Sequence, residues 1–190
     1  MDEEKLLQRA MRGDAQAFND LMGLHEGRMY AVALRMCGTR EDAQDCLQEA
    51  MLRVYRSIGG FKAQSSFATW VSRITMNTCL DELRRKKSRP STSLDGLLDA
   101  GWSPSDNHDT PEQHAVRSEK RANLMRMIRE LPEDMRAAIV LRDLQGLAYE
   151  EIAQALGTNV GTVKSRISRG RERLRGKIAQ APELFDRRDV

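Results

Sequence analysis

The chain reads as an all-α protein: two small helical domains joined by a flexible acidic linker, the C-terminal one carrying a helix-turn-helix. Three observations predict this. Apolar residues recur at helical spacing on both sides of a central gap. In that gap, Ser91 to Ala115 holds five Asp/Glu, two prolines and no Lys/Arg. Near the C-terminus, LAYEEIAQALGTNVGTVKSRISRGRERLRGK (Leu147 to Lys177) divides into a short apolar-faced helix, a tight turn and a longer, strongly basic helix. The expected division is an N-terminal helical domain over 1–90, a linker over 91–111, a second domain over 112–180 and a tail over 181–190.

Composition bounds the function. In 190 residues, 40% hydrophobic content and five prolines suit small folded cores rather than a disordered chain. The net charge of +3 is modest but unevenly placed, and the placement carries the information. No run of about 18 apolar residues occurs, and the opening MDEEKLLQ is acidic, so neither membrane span nor signal peptide is expected. Cys37, Cys46 and Cys79 are far apart in sequence and lack metal-ligand spacing, so they read as buried reduced thiols of a cytoplasmic protein, with no metal expected. No cofactor is implied, and no phosphate-binding GxxxxGK[ST] loop occurs.

Taken in order, Asp2 to Met11 forms a short helix with Leu6, Leu7, Ala10 and Met11 on one side. Gly13 breaks it. Asp14 can cap a longer helix running to Cys37, with Phe18, Leu21, Met22, Met29, Val32 and Leu34 as core candidates, and Gly38 ends that helix. Thr39 and Asp42 are placed to cap the next helix reciprocally. In Arg40 to Ile58 the buried stripe is Ala43, Leu47, Ala50, Val54 and Ile58. Opposite it lie Asp45, Gln48, Glu49 and Arg56, with Leu52 among them. An exposed leucine is often incidental, but an apolar side chain ringed by acids and amides also suits a protein-docking face.

Gly59-Gly60 interrupts the chain and FKAQSS (Phe61 to Ser66) forms a loop, after which Ser65 or Ser66 can cap FATWVSRITMNTCLDELRRKK. Phe67, Val71, Ile74 and Thr78 point inward. Trp70, Arg73, Asn77 and Arg84 form a second stripe. Trp70 alone reads best as a core aromatic and Asn77 as a surface amide. Together with two guanidiniums they suit single-stranded nucleic acid, whose bases stack on planar groups and offer edges to an amide. The stripe runs into RRKKSR, which adds attraction for phosphates.

Beyond the linker, Leu124, Ile128 and Leu131 mark a helix from about Glu112 to Leu131. Pro132 takes the first-turn position of the next, which carries Met135, Ile139 and Leu144 before Gly146. Acids in the linker, with His108 and His114, are too irregularly spaced for a metal site. In the basic stretch, Ile152, Ala153 and Leu156 face inward, Gly157 suits a left-handed helix end, and Thr162 is able to cap the second helix. Val163, Ile167 and Leu174 share a narrow arc, with Gly170 beside them. Lys164, Ser165, Ser168, Arg169 and Glu172 lie opposite. Seven Lys/Arg against one Glu between Gly161 and Lys177 are excessive for an ordinary solvated face. They suit a helix laid in a DNA major groove, with lysine and arginine meeting phosphates and short hydroxyls leaving room at base edges.

Four ordered blocks then carry a family resemblance: DAQDCLQEAMLRVY (Asp42 to Tyr55), FATWVSRITMNTCLDELRR (Phe67 to Arg85), LPEDMRAAIVLRDLQGLAYEEIAQALG (Leu131 to Gly157) and VGTVKSRISRGRERLR (Val160 to Arg175). Together they resemble a bacterial RNA polymerase sigma factor of the small extracytoplasmic-function (ECF) subfamily. The resemblance implies that Asp45, Gln48, Glu49 and Leu52 dock on core RNA polymerase. It implies that Lys62, Gln64, Ser65, Ser66, Trp70, Arg73, Asn77 and Arg84 hold the melted non-template strand at the −10 element. It assigns Thr162, Lys164, Ser165, Ser168, Arg169 and Arg171 to duplex promoter DNA at the −35 element, with Ser168 smaller than the residue that can stand there. An anti-sigma factor is the expected regulator, and any redox or metal sensing is expected in that partner. No catalytic residue is implied. Two rival classes bear on the same residues. A repressor or activator would use the helix-turn-helix without polymerase, leaving the Trp70–Arg84 stripe unexplained. A DNA-processing enzyme would need Asp95, Asp99 or Asp106 held together, which their spacing does not provide.

Overall fold

The computed structural model of the chain describes residues 2–88 and 111–184. The expected linker, with Asp95, Asp99, Asp106, Trp102 and His108, and the last residues of the tail lie outside the described residues, as does the His114 side chain. Eight α-helices make up the described fold: α1 (Glu3–Met11), α2 (Ala15–Cys37), α3 (Arg40–Ser57), α4 (Phe67–Ser88), α5 (Pro111–Arg129), α6 (Glu133–Ile139), α7 (Tyr149–Ala155) and α8 (Val160–Gln180). A π turn, Val140–Leu144, continues α6. No described helix is long and apolar enough to cross a membrane.

Local signals set most helix ends. Asp2 and Asp14 accept the N–H of Glu4 and Ala17 at the starts of α1 and α2. Gly38 ends α2 at φ +91°, where a side chain would be strained. Thr39 accepts the Asp42 N–H at 3.2 Å, but the reciprocal half of that cap gives way to an ion pair from Asp42 to Lys86 of α4. Helix α8 is capped by Asn159, whose Oδ1 accepts the Thr162 N–H at 2.8 Å. This corrects Thr162 as the cap: the capping residue stands three positions earlier, and the helix begins at Val160. Gly157 takes the left-handed conformation expected of it, at φ +59°.

The N-terminal helices enclose one core built from Leu6, Ala10, Phe18, Leu21, Met22, Met29, Leu47, Ala50, Val54 and Val71. Leu34 and Ile74, expected inside, are half-buried; Met36, Thr75 and Met76 take the deeper positions. Burying an aliphatic side chain contributes roughly 1.5–3 kcal/mol each, so these stripes hold the bundle. In the C-terminal half, Gly170 allows α8 to close on α6. A Cβ there would meet Ile139 Cδ1 at 2.6 Å.

The two domains also share apolar surface. Val32, Ala33, Met36, Met76 and Leu80 belong to the same buried cluster as Met127, Ile128, Leu131, Leu141 and Ile152. The sequence suggests two self-contained cores, because the residues that join them sit at the flanks of stripes that already face inward. Polar groups stitch this seam. Arg129 donates to the Gly38 carbonyl at 3.1 Å, and Arg136 donates to the Met36 carbonyl at 2.6 Å. Arg136 also donates to the carbonyls of Arg129 and Leu131. Burial pushes its guanidinium below its ordinary pKa, yet arginine stays charged. Lys87 of α4 pairs with Glu133 at 2.7 Å.

Arg136→Met keeps the apolar stem and deletes every donor. It is expected to destabilise the chain by about 2–4 kcal/mol in urea unfolding, because the carbonyls it serves lose charge-assisted partners. A change within about 0.5 kcal/mol, the usual size for a surface substitution, would show that the arginine is dispensable.

Candidate nucleic-acid interface

Three surfaces hold the residues singled out in the sequence. The first lies on α3. Asp45, Gln48 and Leu52 are exposed on one face, Leu52 at 49%. Tyr55 follows on the same stripe at 54% exposure, its ring edge-on to Phe18 at 5.0 Å. Sequence reasoning missed Tyr55, although its position three after Leu52 was a usable signal. Glu49 is only half-exposed and is bound at 2.9 Å by Arg53, which also reaches Asp81 of α4 at 2.9 Å. The outward face is therefore Asp45, Gln48, Leu52 and Tyr55, with Glu49 spent inside a bridge between α3 and α4.

The second surface is the loop between α3 and α4 with the outer face of α4. Phe61 is buried at the loop's base and packs edge-on to Phe67 at 5.6 Å. Ser66 closes the loop by accepting the Thr69 N–H at 3.1 Å. Between them Ala63 is held at φ +51°, a left-handed conformation that costs a non-glycine residue roughly 1–2 kcal/mol. A strained residue of this kind persists where its surroundings over-determine it. The loop thus presents Lys62, Gln64 and Ser66 outward, with Ser65 half-buried.

The Trp70–Arg84 stripe does not emerge whole. Trp70 is 9% exposed, with Phe61 at 5.2 Å and Phe67 at 5.6 Å between ring centroids. It forms part of an aromatic core beneath the loop, and its faces are not an open stacking platform. Helical periodicity put it on the right stripe, but the loop folding back over it decides its exposure. Arg73 is half-buried, and Asn77 and Arg84 are exposed. His25, which the sequence reading did not single out, buttresses the same cluster. It is buried edge-on to Phe67 at 5.1 Å, with Nε2 3.1 Å from Glu3.

The third surface is α8. Val163, Ile167, Gly170 and Leu174 are buried, while Lys164, Ser168, Arg169, Arg173 and Arg175 are exposed as the amphipathic pattern requires. Thr162 and Ser165 are half-buried. Lys164 Nζ lies 5.6 Å from the centre of the Tyr149 ring, which also carries the Arg142 guanidinium at 4.5 Å. Arg171 is less free than its position suggests. It forks onto both oxygens of Asp143, which raises its pKa through that hydrogen bond. Arg166 pairs with Asp134 at 2.6 Å. Thr162, Ser165 and Arg169 line one open groove with Glu133, Asp134 and Lys87, so the N-terminal half of α8 faces two carboxylates and a lysine of α4.

The three expected site groups thus occupy separate surfaces, two on the first domain and one on the second. A fourth grouping was not anticipated. Cys37, Cys46 and Cys79, far apart in sequence, come from three helices and bring their sulfurs within 4.8 Å of one another.

Family models match over two segments: Sigma-70 region 2 over residues 21–89, and Sigma-70, region 4, over 121–174. The chain is 37% identical over 174 residues to the RNA polymerase sigma-H factor of Pseudomonas aeruginosa, covering 90% of each chain. It is 36% identical over 182 residues to the ECF RNA polymerase sigma-E factor of Escherichia coli K12, covering 94% of this chain and 95% of that one. Among solved structures, the Bartonella quintana sigma factor RpoE bound to the anti-sigma factor NepR superposes with a TM-score of 0.66. That match has 22% identity and covers 91% of this chain and all of the other. CnrH bound to the cytosolic domain of CnrY superposes at 0.64 with 23% identity, covering 94% and 99%. These two likenesses are of fold.

Burial separates two members of the α4 stripe. Trp70→Ala is expected to cost roughly 3–5 kcal/mol of stability, since it empties an aromatic core position. Asn77→Ala, at an exposed helical site, should leave stability within about 0.5 kcal/mol. Urea unfolding of both variants tests this. Equal, small losses would mean that the tryptophan is not a core residue.

Proposed function

The chain belongs to the ECF family of RNA polymerase sigma factors, and we propose how its surfaces divide the family's work of directing promoter-specific transcription initiation. The observation that carries the division is the placement of two DNA-suited surfaces on different modules, with a separate amphipathic docking face on the first. The modules are taken as residues 1–90 and 112–180, joined by the linker 91–111 and followed by the tail 181–190. The reading places the protein in the cytoplasm, where core polymerase and promoter DNA are met, and assigns it no catalytic step of its own.

Asp45, Gln48, Leu52 and Tyr55 dock on core polymerase, with Glu49 shaping that face through Arg53. Leu52 and Tyr55 supply apolar contact, and Asp45 and Gln48 supply a polar rim. On the −35 duplex, Lys164, Ser165, Ser168 and Arg169 reach base edges from the N-terminal half of α8. Thr162 and Arg171 flank them, Arg171 with its orientation held by Asp143. Arg173 and Arg175 lie later on the helix, nearer to phosphates.

At the −10 element, Lys62, Gln64, Ser65 and Ser66 form the rim that receives an unstacked base, and Asn77 reads an edge. Arg73 and Arg84 neutralise the strand. Trp70 contributes as the rigid floor under the loop. Extruding a base costs a few kcal/mol, offset by the fitted rim. Capture of the melted strand shifts the duplex equilibrium towards the open state, so no nucleotide hydrolysis is required of this chain. Each module alone holds little DNA, and tethering both to one polymerase raises their effective concentration. An anti-sigma factor, the kind of partner bound in the solved structures of similar fold, would act by covering the α3 face or wedging between modules.

Run-off transcription with purified core polymerase tests the whole reading. Added chain is expected to give discrete start sites, while the chain without polymerase shows only weak, salt-sensitive duplex binding. Tight operator-like binding by the free chain with no effect on initiation would overturn it in favour of a conventional repressor or activator. Within α8, Arg169→Ala should cost roughly 1–3 kcal/mol in a base-dependent manner, and Arg175→Ala should weaken all sequences alike and lower the salt slope by about one. Affinity across a −35 library at several salt concentrations distinguishes them. The reverse pattern would invert the placement of the helix.

A further inference from the structure

The three cysteines occupy the point where α2, α3 and α4 meet. Cys37 is the last residue of α2 and half-buried, Cys46 is in the buried flank of α3, and Cys79 is fully buried on α4. Cys37 Sγ and Cys46 Sγ are 3.3 Å apart, and all three sulfurs fall within 4.8 Å. Thiolates bound about 2.3 Å from a tetrahedral ion stand about 3.8 Å from each other. The observed spacing therefore brackets what one ion needs, without moving a helix.

We propose that Cys37, Cys46 and Cys79 form a binding site for one thiophilic d10 metal ion, of the Zn2+ or Cu+ class. Three sulfur ligands select soft or borderline ions over Mg2+ and Ca2+, which demand oxygen. Cys46 and Cys79 are buried and Cys37 is half-buried, so Cys37 is the partly exposed ligand.

Binding of one ion turns three thiols into three metal thiolates, and the displaced protons are released to solvent. The net charge of the filled site is −1 with Zn2+ and −2 with Cu+. Asp42 adds to it, while Lys86, already paired to Asp42, and Arg136 offset it.

The site lies beside the seam between the domains. Gly38, next to Cys37, accepts Arg129, and Met36, just before it, accepts Arg136. An ion here ties three helices at the surface on which the second domain rests, and it raises stability by binding the folded state alone.

The test uses the full chain, reduced, stripped of metal and free of polymerase or DNA, so its outcome is independent of the transcription reading. One equivalent of Co2+ is expected to give a sulfur-to-cobalt charge-transfer band. Zn2+ should displace the cobalt, protect all three thiols from alkylation and raise the melting temperature. An anaerobic Cu+ arm with a competing chelator identifies which ion is held tighter. Cys37→Ser, at the partly exposed ligand, should weaken binding roughly 100-fold or more, beyond the 10–100-fold cost of losing an outer-shell partner, with circular dichroism unchanged. Cys46→Ala should do the same. Absence of the band at stoichiometric ion, or unchanged affinity in folded Cys37→Ser, would overturn the site. Peroxide linking Cys37 to Cys46 in a chain that binds neither ion would equally overturn it, assigning the cluster to thiol oxidation.

Discussion

The arrangement of the whole described fold depends on where α2 stops. A helix end leaves carbonyls without intrahelical partners, and Gly38 turns the chain away so that they point outward. The carbonyls of Met36 and Gly38 accept guanidinium donors from Arg136 and Arg129 across the domain boundary. Arg136 is itself fixed by two carbonyls of its own domain. The polar requirements of one helix terminus thus set the docking of two modules whose apolar faces alone would allow many orientations. Met36, Leu80, Ile128 and Leu131 then fill the seam in a single arrangement.

This docking bears directly on function. Thr162, Ser165 and Arg169 open into a groove shared with Glu133, Asp134 and Lys87. Both carboxylates there are already paired, Glu133 with Lys87 and Asp134 with Arg166. The exposed face of α3 carries Leu52 and Tyr55, each about half exposed. On the proposed division of surfaces, strand capture by the loop before α4 would depend on the aromatic core beneath it.

Much of this was legible in the residues. Asp14, Gly38 and Gly157 mark their helix ends through local chemistry, and the Ala43–Ile58 and Val163–Leu174 stripes are buried as their spacing requires. What escaped depends on tertiary neighbours. Trp70 sits on the stripe that periodicity gives it, but Phe61 and Phe67 enclose it. Glu49 has its i+4 partner Arg53 in the sequence, but only the packing shows that Arg53 also holds Asp81 of another helix. The cysteines share no ligand spacing because their convergence is made by three packed helices. Asn159 outcompetes Thr162 as a cap because both lie at plausible positions, and only the backbone path chooses between them.

The two modules rest on each other in the free chain, and the proposed function requires them to part when polymerase and promoter take their surfaces. Fluorescence energy transfer between labels at Ser88, at the end of α4 next to Lys87, and Gly161, at the start of α8 in the groove that Lys87 also lines, measures this. High transfer is expected in the free chain, with a large fall on forming the polymerase–promoter complex and a lower value in free Arg136→Met. Equal transfer in the free and promoter-bound states would contradict it.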